Sequence, residues 1–178
     1  VIYQATSAGC SPLTIPNGSD RCLDFEKFVR DELIATSTPE TILIGAFWDR
    51  DAKVMGLDEM KAALRKKLRA LVKDGRRVVV LGQGPEFMAN PRLLLEARGY
   101  DGDHVEEVWY PAETFDELNA ELKALSREEG AEYFDVIAEL CREGTCLAAT
   151  SGAGLFLDRG HFSHVGSTIV ARALIRLL

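Results

Sequence analysis

Short apolar segments alternate along the chain with longer segments in which apolar residues recur every three or four positions. Unbroken apolar runs at 41–47 and 77–81 predict buried strands, because a strand covered on both faces has no polar face. A long helix that stops at Gly75 is predicted by an apolar stripe at helical spacing, made of Met60, Leu64, Leu68, Leu71 and Val72. Alternation of this kind predicts a doubly wound α/β domain with a parallel sheet.

The other elements follow from the same patterns. Thr114 and Glu117 have the spacing of a capping box, which predicts the start of a helix carrying Leu118, Leu122 and Leu125. Residues 87–110 are the least regular stretch and either line a cleft or cross the surface. The remaining predictions are an opening strand at 1–6, a helix from Asp24, a strand at 131–137, a short strand at Leu155 and Phe156, and a closing helix at 164–178.

Composition limits the class of protein. The 178 residues, 47% of them hydrophobic, fit one domain with a substantial core, and we expect a single domain over 1–178. The net charge of −7 argues against a nucleic-acid partner, because binding phosphate backbones requires clustered basic residues. No apolar run approaches the roughly 18 residues of a membrane span. The chain opens directly on an apolar strand at Val1 rather than on Met, so we expect a longer protein of which this is a C-terminal part.

The four cysteines form two close pairs in sequence, Cys10 with Cys22 and Cys141 with Cys146. Four cysteines allow three connectivities, and spacing alone does not choose among them. Local pairing would close two small loops that contain turn residues. Zinc binding and buried free thiols are the alternatives, although no C-x-x-C spacing or histidine set suggests a metal site. We favour two disulfides and therefore an oxidising compartment such as the periplasm or cell exterior.

Asp158 and His161 form a D-x-x-H step that follows a short apolar segment. At this spacing the carboxylate can accept a hydrogen bond from one ring nitrogen and leave the other facing a cleft. Such a pair supplies the base and the orienting acid of a nucleophilic triad. The alternative is a surface turn whose Asp caps the following helix. Ser163 is expected to cap that helix.

Distinctive residues follow three predicted strands, and ligands in open α/β sheets bind at the carboxyl ends of the strands. These residues lie at 7–10 (Ser-Ala-Gly-Cys), 48–50 (Trp-Asp-Arg) and 158–161 (Asp-Arg-Gly-His). The sequence therefore predicts that Gly9, Trp48 and His161 lie near one another at one edge of the sheet.

These segments carry a resemblance to a known family when they are taken in order with several others. The others are residues 3–13, Cys22, residues 78–86, the Cys141 and Cys146 pair and residues 158–166. Together they resemble the SGNH hydrolase superfamily, and more narrowly the extracytoplasmic SGNH domain fused to acyltransferase-3 type membrane proteins that O-acetylate surface polysaccharides. The resemblance implies a three-layer α/β/α, flavodoxin-like fold with a parallel sheet. It also implies His161 as the base, Asp158 as its orienting acid and the Gly9 N–H as an oxyanion donor, although a glycine there is also explained by a tight turn.

The chain departs from the family pattern at two places. The Gly-Asp-Ser block with the serine nucleophile is missing, and we expect it, with the first strand, before Val1. Ser7 and Ser11 are weaker candidates, since a serine beside a cysteine in a Pro-bounded loop is more often a turn residue. The oxyanion Asn of many members is also missing after residues 41–47. Trp48 in that place is typical of the acyltransferase-linked branch, and it is either a cleft wall that stacks on a sugar or a core aromatic.

The resemblance therefore implies transfer of an acetyl or other acyl group to a hydroxyl of a surface polysaccharide through an acyl-serine intermediate. A fused or partner membrane acyltransferase domain would deliver the acyl group, a carbohydrate would accept it, and the domain would be tethered at the periplasmic face of the inner membrane. We expect no metal and no cofactor, since the sequence has no Gly-rich phosphate loop. The alternatives are an esterase that deacylates glycans and a non-catalytic glycan-binding domain. The upstream sequence would discriminate among them.

Overall fold

The computed structural model describes residues 2–15, 19–101, 106–109 and 115–178. The chain divides into two compact units. Unit 1 comprises Val1–Gly82 and Leu118–Tyr133, and unit 2 comprises Gln83–Glu117 and Phe134–Leu178. The single domain predicted over residues 1–178 stays a prediction.

Helices make up much of both units. In chain order they are α1 (Asp20–Phe28), which continues through a π-helical segment (Val29–Ile34) into α2 (Ala35–Ser37), then α3 (Trp48–Met55), α4 (Leu57–Lys73), α5 (Pro91–Ala97), α6 (Asp116–Glu128), α7 (Val136–Leu140) and α8 (His164–Ile175).

The strands form two sheets. They are β1 (Thr41–Ile44), β2 (Arg77–Leu81), β3 (Glu106–Trp109), β4 (Glu132–Phe134), β5 (Cys141–Arg142), β6 (Thr145–Thr150) and β7 (Ala153–Gly154). A three-stranded parallel sheet has the order β1-β2-β4. The second sheet is antiparallel, with the order β3-β6-β5 and β7 paired to β6. The mixed α/β architecture with a parallel sheet confirms the predicted fold class.

The core of unit 1 lies between α4 and the parallel sheet. The predicted apolar stripe of α4 is buried at Met60, Leu64, Leu68 and Leu71, as its helical spacing requires. It belongs to one hydrophobic cluster with Val78 and Val80 of β2 and with α6 residues Leu122 and Leu125. The helix prediction is confirmed, and the chain turns after it at Gly75 with a φ of 78°, a backbone region that glycine adopts without strain.

The antiparallel sheet of unit 2 was not predicted. Its tightest turn joins β5 to β6, where Arg142 pairs with Thr145 across only two residues. Both of these, Glu143 and Gly144, have positive φ values, 50° and 82°, which is the requirement of a type I′ hairpin turn. The segment predicted as irregular at 87–110 contains α5 and β3.

Several predicted strands are shorter than expected. Residues 2–7 form no strand, so the prediction of an opening strand is wrong there: a strand needs a hydrogen-bonded neighbour, and Ile2 is 96% exposed. The strand predicted at 41–47 ends at Ile44. Residues 131–137 divide into β4 and the start of α7, because Asp135 accepts a hydrogen bond from the Ala138 N–H and caps that helix.

The remaining boundaries also differ from the predictions. The first helix begins at Asp20, four residues before Asp24, because Ser19 caps it. Phe156 forms an isolated antiparallel bridge with Phe162 rather than a strand with Leu155. The closing helix ends at Ile175. Thr114 of the predicted capping box lies outside the described residues.

Candidate active site

The D-x-x-H step lies on a closed loop of unit 2. The Leu157 N–H donates to the His161 carbonyl at 2.8 Å. Within the loop, Oδ1 of Asp158 accepts the N–H groups of Gly160 at 2.9 Å and His161 at 2.8 Å. The Asp158 side chain thus supplies the hydrogen-bond acceptor that holds the turn together, which is a typical role of Asp in turns.

The same carboxylate contacts the imidazole of His161. The Nδ1 atom lies 2.8 Å from Oδ2 and 3.0 Å from Oδ1 of Asp158. An ionised carboxylate only accepts hydrogen bonds, so this contact holds the proton on Nδ1 and leaves Nε2 as the acceptor. The His161 side chain is 83% exposed, so the ring is accessible to a substrate and does not point into the core.

The electrostatics of Asp158 follow from its donors. The backbone N–H groups of Gly160 and His161, in that order of importance, lower the pKa of Asp158 from 3.8 to about 2, and the hydrogen bond to the His161 ring adds to this. Asp158 is therefore an anion at every pH at which such a base would work.

Hydrogen bonds to the backbone of Phe87 and aromatic contacts hold the loop in place. Arg159 Nε donates to the Phe87 carbonyl at 2.6 Å, and the Phe87 N–H donates back to the Arg159 carbonyl at 2.8 Å. Behind the loop, Phe156 packs edge-on against Phe87 with ring centroids 4.8 Å apart. It also contacts Phe162 at 5.1 Å.

Ser163 fixes the exit of the loop. It caps α8 as predicted, accepting the Gly166 N–H at 3.2 Å and donating to the Gly154 carbonyl at 2.7 Å. A Cβ built on Gly166 would lie 2.2 Å from the Leu155 carbonyl oxygen. The helix therefore approaches the backbone of Leu155 as closely as only glycine permits.

Gly9 lies in a turn of unit 1. The Cys10 N–H donates to the Ser7 carbonyl at 3.0 Å, and Gly9 has a φ of 75°. This geometry agrees with a tight turn, which is the alternative explanation of a glycine at this position. Within the described ranges, no hydrogen bond uses the Gly9 N–H, and Gly9 is exposed.

Trp48 begins α3 rather than ending a strand. Its side chain is fully buried within the cluster of unit 1, and Nε1 donates to the Leu81 carbonyl at 2.7 Å. Of the two alternatives for Trp48, this burial favours the core aromatic over the cleft wall. Gly9 and Trp48 belong to unit 1, and Asp158 and His161 belong to unit 2, so the predicted convergence of the three segments stays a prediction.

The cysteines pair as the local arrangement predicted. Cys10 and Cys22 have an S–S distance of 2.02 Å, and Cys141 and Cys146 one of 1.95 Å. The second pair joins facing residues of β5 and β6. Both pairs agree with an extracytoplasmic domain.

Ser11, one of the two weaker candidates for the nucleophile, is buried in unit 1. Its Oγ donates to Oδ2 of the fully buried Asp51 at 2.5 Å and accepts the Leu13 N–H at 3.0 Å. These contacts give Ser11 a structural role in holding the loop after Gly9. Asp51 went unnoticed in the sequence, because nothing in its local pattern signals a partner forty residues away.

The described parts of the chain contain no group of three or more acidic, histidine or cysteine side chains arranged to hold a metal ion. Across the same ranges, no helix is at once long enough and apolar enough to cross a membrane.

Comparison with known proteins identifies the family. Residues 1–176 match the family model of the SGNH domain fused to AT3 (acyltransferase-3) domains, so the chain belongs to this SGNH family. Among solved structures, it is similar to the periplasmic domain of the lipopolysaccharide acetyltransferase of Salmonella ser. Paratyphi A. The TM-score is 0.68 and the identity 18%, over 94% of this chain and 69% of that one. No curated protein matches.

The likeness at this identity shows the fold, which is the predicted SGNH-type α/β fold. Membership of a family fused to AT3 domains supports an SGNH acyltransferase role, an AT3 membrane domain as partner, and a location outside the cytoplasm.

Proposed function

We propose that this domain transfers an acetyl group to a hydroxyl of a cell-surface polysaccharide through an acyl-serine intermediate. The observation that carries the proposal is the Asp158–His161 pair, in which Nδ1 is held at 2.8 Å by an ionised carboxylate and the ring is exposed. Family membership supports the reaction class. The similar Salmonella domain is part of a lipopolysaccharide acetyltransferase, which supports the acetyl group and a glycan acceptor.

The nucleophile in this mechanism is a serine of the family's Gly-Asp-Ser block, outside the 178 residues. His161 Nε2 takes the proton of its Oγ as Oγ attacks the acyl carbonyl, whose electron pair moves onto oxygen. The tetrahedral intermediate collapses, and the leaving group departs with the proton from the imidazolium. An ester to serine remains.

The second half repeats these steps with the acceptor. His161 Nε2 removes the proton of a sugar hydroxyl, the hydroxyl oxygen attacks the acyl-serine, and the serine leaves with the proton returned by His161. Asp158 keeps Nδ1 protonated and stabilises the imidazolium in both halves. The Gly9 N–H donates to the oxyanion of each intermediate, and the AT3 membrane domain supplies the acyl group from a donor.

The test uses the full-length protein in membranes with a labelled acetyl donor and a lipopolysaccharide or capsular glycan acceptor. We expect label on the glycan and, when the acceptor is withheld, an acetylated serine peptide in the mass spectrum. Release of free acetate at the same rate with and without glycan would assign the domain to the esterases. Binding of glycan without turnover would assign it to the non-catalytic glycan binders.

A further inference from the structure

The turn that contains Gly9 has two possible orientations of its central peptide. Ser7 and Cys10 close the turn, so Ala8 and Gly9 are its middle residues. Gly9 at a φ of 75° fits a type II turn, in which the third residue has positive φ. In a type I turn the same residue has negative φ and the central peptide faces the other way. A flip of the Ala8–Gly9 peptide would therefore reverse the direction of the Gly9 N–H.

The guanidinium of Arg21 donates a hydrogen bond to the Ala8–Gly9 peptide. Its Nη2 atom donates to the Ala8 carbonyl at 2.6 Å, and its Nη1 atom lies 3.4 Å from Ser7 Oγ. The Ala8 carbonyl and the Gly9 N–H belong to one trans peptide, and in a trans peptide these two groups point in opposite directions. A guanidinium that holds the carbonyl on one side thereby directs the N–H to the other side.

Arg21 is itself fixed to the turn. It precedes Cys22, whose sulfur is bonded to that of Cys10, and it lies in the first turn of α1. Ser19 caps this helix by accepting the Cys22 N–H. The disulfide and the cap hold the backbone of Arg21 beside the turn, and its exposed guanidinium is held there by its hydrogen bonds to Ala8 and Ser7.

We propose that Arg21 is a positioning residue that sets the orientation and the donor strength of the Gly9 N–H. The inference rests on the proposed function, in which that N–H binds the oxyanion. A charged donor on the Ala8 carbonyl polarises the amide, and hydrogen bonds in such a chain strengthen one another. Arg21 acts through the peptide and does not touch the substrate.

The test compares full-length Arg21→Gln and Arg21→Lys proteins with the parent, using p-nitrophenyl acetate. Loss of one oxyanion donor costs about 10²–10³-fold in kcat, so misorientation of the donor should cost about 10-fold, with KM unchanged because the oxyanion exists only in the transition state. Arg30→Gln is the control: Arg30 pairs with Glu26 and Asp31 further along the same helical segment, and we expect parent kinetics.

A second arm needs no turnover. Hydrogen–deuterium exchange of the peptide that spans residues 7–13 should be faster in Arg21→Gln than in the parent and unchanged in Arg30→Gln. If activity survives His161→Ala, the proposed function fails, and the exchange result still decides whether Arg21 fixes the turn. Combining Arg21→Gln with Gly9→Ala should cost little more than the larger single change, because both act on one peptide.

Three results would overturn the inference: unchanged kcat together with unchanged exchange, a raised KM at constant kcat, or full additivity with Gly9→Ala. Should Arg21→Gln fail to accumulate, Arg21→Met decides in its place, because methionine keeps the length of the side chain but has no donor. A lowered kcat at unchanged KM in Arg21→Met supports the inference, and parent kcat contradicts it. Arg21→Lys keeps the charge and one donor but not the planar fork, so its kcat should lie between those of Arg21→Met and the parent.

Discussion

Asp158 holds His161 at two points, the backbone N–H through Oδ1 and the ring Nδ1 through Oδ2, each at 2.8 Å. Because both bonds are made within three residues of chain, the tautomer and position of the imidazole are fixed locally. The pair resembles the orienting half of a triad in geometry and forms without any contribution from another unit. In the proposed mechanism, this pair acts as the base and its orienting acid for a serine nucleophile.

Replacement of His161 tests the base directly. In the full-length protein we expect His161→Ala to lower kcat for p-nitrophenyl acetate by at least about 10³-fold, since removing a triad member removes general-base catalysis. His164→Ala is the matched control, because His164 is an exposed residue in the first turn of α8, and it should keep parent activity. Equal losses in the two variants would contradict the assignment of His161. Turnover by the 178-residue chain alone would show that the nucleophile lies within it.

The carboxylate of Asp158 gives a pH-dependent contribution to stability. Its pKa is about 2 in the folded chain against an ordinary 3.8. A lowered folded-state pKa stabilises the folded state above the unfolded pKa, and that stability is lost as the pH falls through the folded pKa. The Tm difference between the parent and Asp158→Asn should therefore be present above about pH 4 and shrink between about pH 4 and pH 2. It should be modest, because the side chain is half exposed. A difference that persists to pH 2 would contradict this origin.

Some features of the structure could be predicted from the local sequence pattern. The stripe of α4 shows its helical period within a few turns, and the unbroken apolar run of β2 indicates a strand that is covered on both faces, so the burial of both follows from the local sequence. The Asp158–His161 contact is equally local. Long-range partners were not accessible in the same way: Ser11 meets Asp51 across 40 residues, and Arg21 meets Ala8 across 13.

The antiparallel sheet shows a different limit. Its strands β5 and β7 are only two residues long, too short for an alternating pattern to appear. The hairpin at Glu143 and Gly144 offered only one glycine as a signal. Trp48 shows a third limit, because a tryptophan after an apolar run looks the same in sequence whether it faces a cleft or, as here, is fully buried.

The buried pair of Ser11 and Asp51 should matter for stability. Ser11→Ala removes the hydroxyl that donates to Oδ2 of the fully buried Asp51, while Arg50 still contacts Oδ1 at 3.4 Å. An unsatisfied buried group costs about 1–3 kcal/mol, so we expect a loss of about 1–3 kcal/mol in the free energy of unfolding, measured in urea. Glu96→Gln in α5 is the comparison, since it weakens an exposed i,i+4 ion pair with Arg92, worth about 0.3–0.5 kcal/mol. Similar losses for both would show that the Asp51 carboxylate is satisfied without Ser11.

The two disulfides should differ in what they do. Removing either pair by double Cys→Ala substitution should cost about 2–3 kcal/mol of stability, as loop closure predicts for short loops. Loss of the Cys10–Cys22 bond should also lower kcat, because that bond holds Arg21 beside the Gly9 turn. Loss of the Cys141–Cys146 bond in the hairpin should leave kcat near the parent value. Mass spectrometry under denaturing, non-reducing conditions provides the starting point, and four free thiols there would remove the argument for an oxidising compartment.

Gly160 and Gly166 lie on either side of His161 in the sequence and should respond differently to substitution by alanine. A Cβ at Gly166 would meet the Leu155 carbonyl oxygen at 2.2 Å and Phe162 Cδ1 at 3.1 Å. Gly166→Ala must therefore push α8 away from Leu155. We expect a loss of more than about 2 kcal/mol in the free energy of unfolding, at the upper end of overpacking costs.

At Gly160 the nearest atoms lie 3.9 Å from the added carbon, an ordinary contact, and Ala keeps the N–H that donates a hydrogen bond to Asp158. The free energy of unfolding of Gly160→Ala should thus lie within about 0.5 kcal/mol of that of the parent, and the full-length variant should retain turnover. Denaturant unfolding and p-nitrophenyl acetate kinetics measure the two quantities. If Gly166→Ala proved as stable as Gly160→Ala, the close approach of α8 to the Leu155 backbone would be refuted.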